Sequence, residues 1–316
     1  MKTCLVSGGA GFIGSHLCDR LVTDGYRVVC VDNLITGSRH NIGHLIKNEN
    51  FRFIEADITQ AQDYSCDFVF HLASPASPNS KSKRSYLALP VETMLANSVG
   101  TKLLLDVAKT NQARVLFAST SEVYGDPEEH PQKETYWGHV NPVGQRACYD
   151  ESKRFGEAIT QVYQRNLEVD TRIARIFNTY GPRMDPEDGR VVIDFVIQAF
   201  RAKPFVIHGD GQQTRSFCYV TDMVGGLMKL MFTNEASGQV VNLGNPEEYT
   251  INQLMKLIAK KIGVSPKRKR LPLPEDDPKR RQPDITLART VLGWEPKVSL
   301  DEGLDKTIDF FREVVG

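Results

Sequence analysis

"TCLVSGGAGFIGSHLCDRLVTDG", residues 3–25, decides the fold. An apolar run of strand length breaks into glycines, and apolar Phe12, Ile13, Leu17, Leu21 and Val22 then recur near helical spacing. Gly8, Gly11 and Gly14 spell G-x-x-G-x-x-G, a wider variant of the dinucleotide turn. The physics is shared: Gly8 permits a tight turn, Gly11 admits a pyrophosphate to the backbone, and Gly14 lets the helix pack close to the strand. Amides at the helix N-terminus, where Phe12 and Ile13 lie, then face the phosphates. A second strand, "YRVVCVD", ends at Asp32. A carboxylate there suits the ribose hydroxyls of NAD and repels the 2′-phosphate of NADP. Asn33, Thr36 and Gly37 follow it and join the expected cofactor contacts.

Strands "FRFIEAD", "DFVFHLAS" and "ARVLFAST", with a helical stretch over 90–110, continue the alternation. The pattern predicts an α/β chain with a Rossmann-type, doubly wound parallel sheet. Asp57, Ile58, Leu72 and Ala73 fall at strand C-ends, where such sheets bind ligands.

Composition excludes several classes. Basic and acidic residues balance at 39 each, which argues against a nucleic-acid surface. The basic run Lys267 to Arg270 reads as a solvated loop. No apolar stretch reaches the ~20 residues of a membrane span, and no signal peptide opens the chain. The six cysteines are scattered without a C-x-x-C pair and read as reduced, mostly buried thiols of a cytoplasmic protein. No metal-ligand spacing is present.

"RACYDESKRFGEA", residues 146–158, puts Tyr149 and Lys153 one helical turn apart, on one face. A phenol with a pKa near ~10 is a poor base at neutral pH, and a nearby cation favours phenolate. "STSE" at a strand end adds the hydroxyls of Thr120 and Ser121 and the carboxylate of Glu122.

The NAD turn, "STSEVYG" and "YDESK", in that order, resemble the extended short-chain dehydrogenase/reductase family. "HLASPASP", the run from Ser119 to Arg154, "ARIFNTYGPRM", "DGRVV", "GDGQQTRSFCYV" and "VNLGNPEEYTI" narrow the resemblance to the UDP-glucuronate decarboxylases, or UDP-xylose synthases, of the soluble type. The resemblance implies a Rossmann domain over 1–178, to which later segments return, and a smaller mixed domain over 179–316, mainly for the UDP-sugar. It implies Tyr149 as acid/base, with Lys153 binding nicotinamide ribose and lowering the tyrosine pKa. Glu122 and Arg281, in "KRRQPDI", stand near the sugar ring. Asn178 and Arg215 meet the diphosphate. Main chain at Val192 and from Ile207 to Gly209 holds uridine, with His208 stacking on the base. Arg190 contacts cofactor or nucleotide. The implied reaction oxidises C4 of UDP-glucuronate, loses CO2 from the resulting β-keto acid and reduces the ketone to UDP-xylose, regenerating NAD. A homodimer is implied, paired through helices near 90–110 and 144–165 as a four-helix bundle. The closing helix, "SLDEGLDKTIDFFREVV", carries no expected site role.

Two departures bear on the substrate. Leu95 stands where relatives carry a basic residue facing the sugar acid. A basic insertion, "NSKSKRSYL", reads either as a floppy surface loop or as a source of replacement cations: Lys81, Lys83 and Arg84. Alternatives left open are a UDP-sugar epimerase, a 4,6-dehydratase, a decarboxylase releasing the 4-keto pentose, and an NADH-sensing scaffold without catalysis.

Overall fold

The first apolar run forms strand β1 (Thr3–Ser7) and the periodic stretch after the glycines forms the helix Phe12–Thr23. Further runs become β2 (Arg27–Asp32), β3 (Phe51–Glu55), β4 (Phe68–His71), β5 (Arg114–Thr120), β6 (Thr171–Ile176) and β7 (Val240–Leu243). They hydrogen-bond in the order β3-β2-β1-β4-β5-β6-β7, every pair parallel. This is the doubly wound sheet that the strand–helix alternation predicts. The coordinates are a computed structural model that describes residues 1–272 and 280–315.

Two glycines of the turn are needed on steric grounds. Gly8 has φ +73°, and a Cβ there would lie 2.7 Å from the Ala73 backbone. A Cβ on Gly14 would come within 2.1 Å of the Gly8 carbonyl oxygen, so only glycine lets the helix seat on the turn. The core behind it is closed by Cys4, Val6, Leu17, Cys18, Leu21 and Cys30.

The predicted helix over 90–110 is three pieces: Pro90–Leu95, a π turn Ala96–Gly100, and Thr101–Asn111. At the π turn buried Asn97 donates to Ser74 Oγ and Ser152 Oγ, both at 3.0 Å. The tyrosine helix, Ala147–Leu167, packs beside it.

The C-terminal half mixes helices with short strand pairs, and β7 returns to the sheet from it. The basic run is not a loop: Arg268–Leu271 is a strand that pairs in parallel with Phe205–His208, its three basic side chains exposed. Pairing leaves alternate side chains free for solvent, so a charged run on an edge is compatible with strand geometry.

Candidate active site

The C-terminal ends of β1, β2, β4 and β5 open onto a cavity of about 480 Å³. Gly8, Gly11, Phe12, Ile13 and Gly14 line one end, together with Asp32, Asn33, Thr36, Asp57, Ile58, Leu72 and Ala73. The helix Phe12–Thr23 has Gly11 as N-cap, with no side-chain capping bond. Its first-turn amides therefore stand at the cavity edge uncapped by any side chain, a donor set suited to a diphosphate. Asp32 is held from both sides, its Oδ2 accepting from Ala10 N at 3.0 Å and its Oδ1 from Leu34 N at 2.8 Å. Burial raises its pKa against those bonds. Gly37 lies off the wall and packs on that carboxylate, where a Cβ would be 2.7 Å from Oδ1. Burial opposes the ionised form of Asp57 too, but two bonds from Thr59 and one from Asn33 hold its pKa below the usual range.

Thr120, Ser121, Glu122, Tyr149, Lys153, Asn178 and Arg190 line the other part of the same cavity. Tyr149 is 6% exposed, and burial pushes its phenol up to about 12 against the pull of Arg190 and a hydrogen bond with Thr120. The lysine is itself buried, which brings it down to about 7, and Nζ donates to the Ala118 carbonyl at 2.7 Å. Nζ lies 5.9 Å from the Tyr149 ring centroid.

Glu122 sits in a fork of cations. Arg281 reaches it with two bonds, Nη1 to Oε1 at 2.6 Å and Nη2 to Oε2 at 2.8 Å, and Arg146 Nη2 adds a third at 2.6 Å. Burial alone would raise this carboxyl, but the two guanidiniums hold it at about 2. Asp150, one turn from Arg146, is pushed the other way to about 7 by burial and by Glu122. Its Oδ2 is 4.0 Å from Arg146 Nε, and its Oδ1 has no hydrogen-bond partner among the described residues.

Three parts of this corner escape the sequence reading. Arg146 and Asp150 flank Tyr149 at helical spacings, a signal that was available. Tyr86 belongs to the insertion, and that segment is not a floppy loop. Tyr86 is 2% exposed and stacks on Tyr149, ring centroids 4.9 Å apart and planes at 10°. The segment is tied down by Asn79 Nδ2 to the Glu187 carbonyl at 2.8 Å, Ser77 Oγ to the Asp188 carbonyl at 2.5 Å, and Arg84 to Asp185 at 3.1 Å. Lys81 and Lys83 are exposed, and Arg84 is turned to Asp185. Leu95 lines the cavity, so the position carries no charge of its own.

Six expected substrate contacts lie off the cavity wall. Val192 and Ile207 are buried in the apolar core. Gly209 N donates to the Leu271 carbonyl at 2.8 Å and is committed to strand pairing. His208 Nδ1 is 2.9 Å from the Pro272 carbonyl. Arg215 is buried, with Nη1 donating to the Thr214 carbonyl at 2.9 Å. Arg281 is also off the wall and reaches the site through Glu122. Conversely, the closing helix does contribute, since Phe310, Phe311 and Val314 line the cavity.

A sheet-end cavity with a glycine turn, a Tyr–Lys helix and a T-S-E triplet defines a short-chain dehydrogenase/reductase site. Residues 5–307 match the family model for GDP-mannose 4,6 dehydratase. UDP-glucuronic acid decarboxylase 1 of Xenopus tropicalis is 50% identical over 312 residues, spanning 99% of this chain and 72% of that protein. UDP-glucuronic acid decarboxylase 4 of Arabidopsis thaliana is 51% identical over 311 residues, 98% of this chain and 69% of that one. The structure of a UDP-glucuronic acid 4-epimerase from Bacillus cereus with UDP-glucuronic acid and NAD superposes with a TM-score of 0.87 at 32% identity, over 99% of each chain. The chain belongs to the extended short-chain dehydrogenase/reductase family and, within it, to the UDP-glucuronic acid decarboxylases.

Proposed function

We infer that this protein is an NAD-dependent enzyme that decarboxylates UDP-glucuronate to UDP-xylose and leaves its cofactor oxidised. The observation that carries the reading is the Glu122 corner: two guanidiniums converge on one buried carboxylate beside the tyrosine. Such a corner can recognise a sugar acid, because Arg146 can turn from Glu122 to an incoming carboxylate while Arg281 keeps Glu122 paired. That assigns to Arg146 the counter-charge that Leu95 lacks, in place of the loop cations.

The uncapped helix amides, the turn glycines and Asp32 would hold NAD, whose nicotinamide accepts and returns the C4 hydride. Tyr149 takes the C4 hydroxyl proton and later returns it, with Thr120 hydrogen-bonded to the phenol. A ketone at C4 lets the electrons of the departing CO2 collect as an enolate. Glu122, ionised and held by two cations, is placed to order a water or a ring hydroxyl for protonation at C5. Lys153 and Asn178 face the same cavity, the first toward the nicotinamide ribose and the second toward the diphosphate.

The protein works as a homodimer in the cytoplasm. Val91, Met94, Leu95 and Val99 on one helical segment, and Phe155 and Val162 on the neighbouring helix, form an exposed apolar face that fits a second copy as a four-helix bundle. Its cysteines are free thiols, five of them buried. Proton NMR of the product formed from UDP-glucuronate tests the activity. UDP-xylose is expected; a C4 epimer without pentose would overturn it, and a 4-keto pentose would confine the enzyme to the first half of the cycle.

A further inference from the structure

Arg281 is 159 residues from Glu122 in the chain, yet makes a two-bond contact with it. Its main chain has to be held within side-chain reach of Glu122, in one orientation, for that fork to form. Ser216 Oγ donates to the Arg281 carbonyl at 3.4 Å, and the residues that follow Arg281 are held by Gln132, which is fully buried in the excursion between β5 and the tyrosine helix.

Gln132 lies alongside Pro283 as an isolated parallel bridge. Its N–H donates to the Gln282 carbonyl at 2.9 Å and its carbonyl accepts from Asp284 N at 2.8 Å. Its side-chain Oε1 accepts from Gln282 N at 2.9 Å. Pro283 has no N–H to place, so Gln132 takes every main-chain donor in the three residues after Arg281. The far end of its amide, Nε2, donates to the Glu129 carbonyl at 2.7 Å, which fixes the side chain in turn. Asn242 on β7 backs both strands of the bridge, donating to the Gln132 carbonyl at 3.0 Å and the Asp284 carbonyl at 3.1 Å. Tyr124, two residues past Glu122, donates to the Asn242 side chain at 2.8 Å. Both halves of the ion pair thus hang on one buried polar frame, in which Asn242 and the Gln132 amide both touch the segment bearing Arg281, the amide taking its first donor, Gln282 N.

We propose that Gln132 is a positioning residue for Arg281, holding it in register with Glu122 for the decarboxylation step. The role rests on the activity inferred above, but its structural part does not. A misplacement of about 1 Å at a reacting centre can cost about a hundredfold in rate.

The test is a double-mutant cycle with hydrogen exchange on the full-length protein. Gln132→Met should lower kcat roughly ten- to a hundredfold while leaving UDP affinity within about twofold. In an Arg281→Ala background, Gln132→Met should cost less than about twofold more, because the group it positions is gone. Additive losses would overturn the proposal. Should the methionine variant not fold, Gln132→Asn withdraws the amide by one methylene and gives the same reading. Exchange of the peptide over 280–285 is independent of turnover: it should speed up selectively in Gln132→Met or Gln132→Asn, and unchanged protection there overturns the proposal whatever sugar the enzyme acts on.

Discussion

The two ends of the cavity are built in opposite ways. The glycine-turn end comes from one contiguous stretch, residues 8–14, plus strand-end residues that the parallel sheet aligns automatically. Its specificity lies in backbone: positive φ at Gly8, close contact at Gly14, amides at a helix start. The Glu122 end draws on Tyr86, Glu122, Arg146 to Asp150, and Arg281, which meet only in the folded chain. It is fixed by charge, and buried charges must balance or be relieved. The first end tolerates change wherever the backbone is kept. The second is sensitive to its charged side chains, since removing one shifts the balance of the ions left beside it.

That contrast can be broken at graded points. Tyr149→Phe should have the largest effect, a loss of turnover of ~10²–10⁴-fold with NAD and UDP binding retained, read by steady-state kinetics and calorimetry. A near wild-type rate would remove the phenol from the chemistry. Arg281→Ala should follow, because it halves the counter-charge on Glu122. It should lower both activity and thermal stability, the latter by less than the ~3–5 kcal/mol of a fully broken buried pair because Arg146 still holds the carboxylate. An unchanged melting temperature would show that Arg146 alone suffices.

The charge balance also predicts an unusual pH dependence. Asp150 is raised to about 7 from 3.8, so its ionisation destabilises the fold above pH 7, and that penalty is relieved as pH falls from 7 toward 4. Glu122 is lowered to about 2 from 4.5, so its stabilisation is complete above pH 4.5 and is lost as pH falls through 2. Melting temperature should therefore rise on mild acidification and collapse below pH 4. Asp150→Asn should abolish the rise and leave the collapse. The smallest effect belongs to the other end. Asp32→Asn should narrow the preference for NAD over NADP by roughly tenfold, about 1.4 kcal/mol of like-charge repulsion, measured by calorimetry.

The same contrast explains what was legible in the sequence. Strand–helix alternation and glycine spacing are local, so the doubly wound parallel sheet and most of the wall from Gly8 to Ala73 follow from reading along the chain. Tyr149 and Lys153 share a helix, and their common face follows from one turn of spacing. The raised pKa of Tyr149 was not readable, because it comes from burial, which depends on the surrounding walls. Tyr86 was hidden because an insertion rich in lysine and serine reads as solvated, whereas its tyrosine is drawn inward by stacking on Tyr149. The strand Arg268–Leu271 was hidden because charge masks period-2 alternation on an exposed edge. Gly209, Ile207 and Val192 were assigned to the substrate by resemblance alone, and strand pairing and core packing claim them here.

The central claim is that the charged corner turns C4 oxidation into loss of CO2 and that the cofactor returns to its starting state. Following UDP-glucuronate labelled with ¹³C at the carboxylate, with absorbance at 340 nm read through the same progress curve, tests it most directly. The account predicts one labelled CO2 per sugar consumed and no net NADH at completion. Consumption of the sugar with the label retained would contradict it.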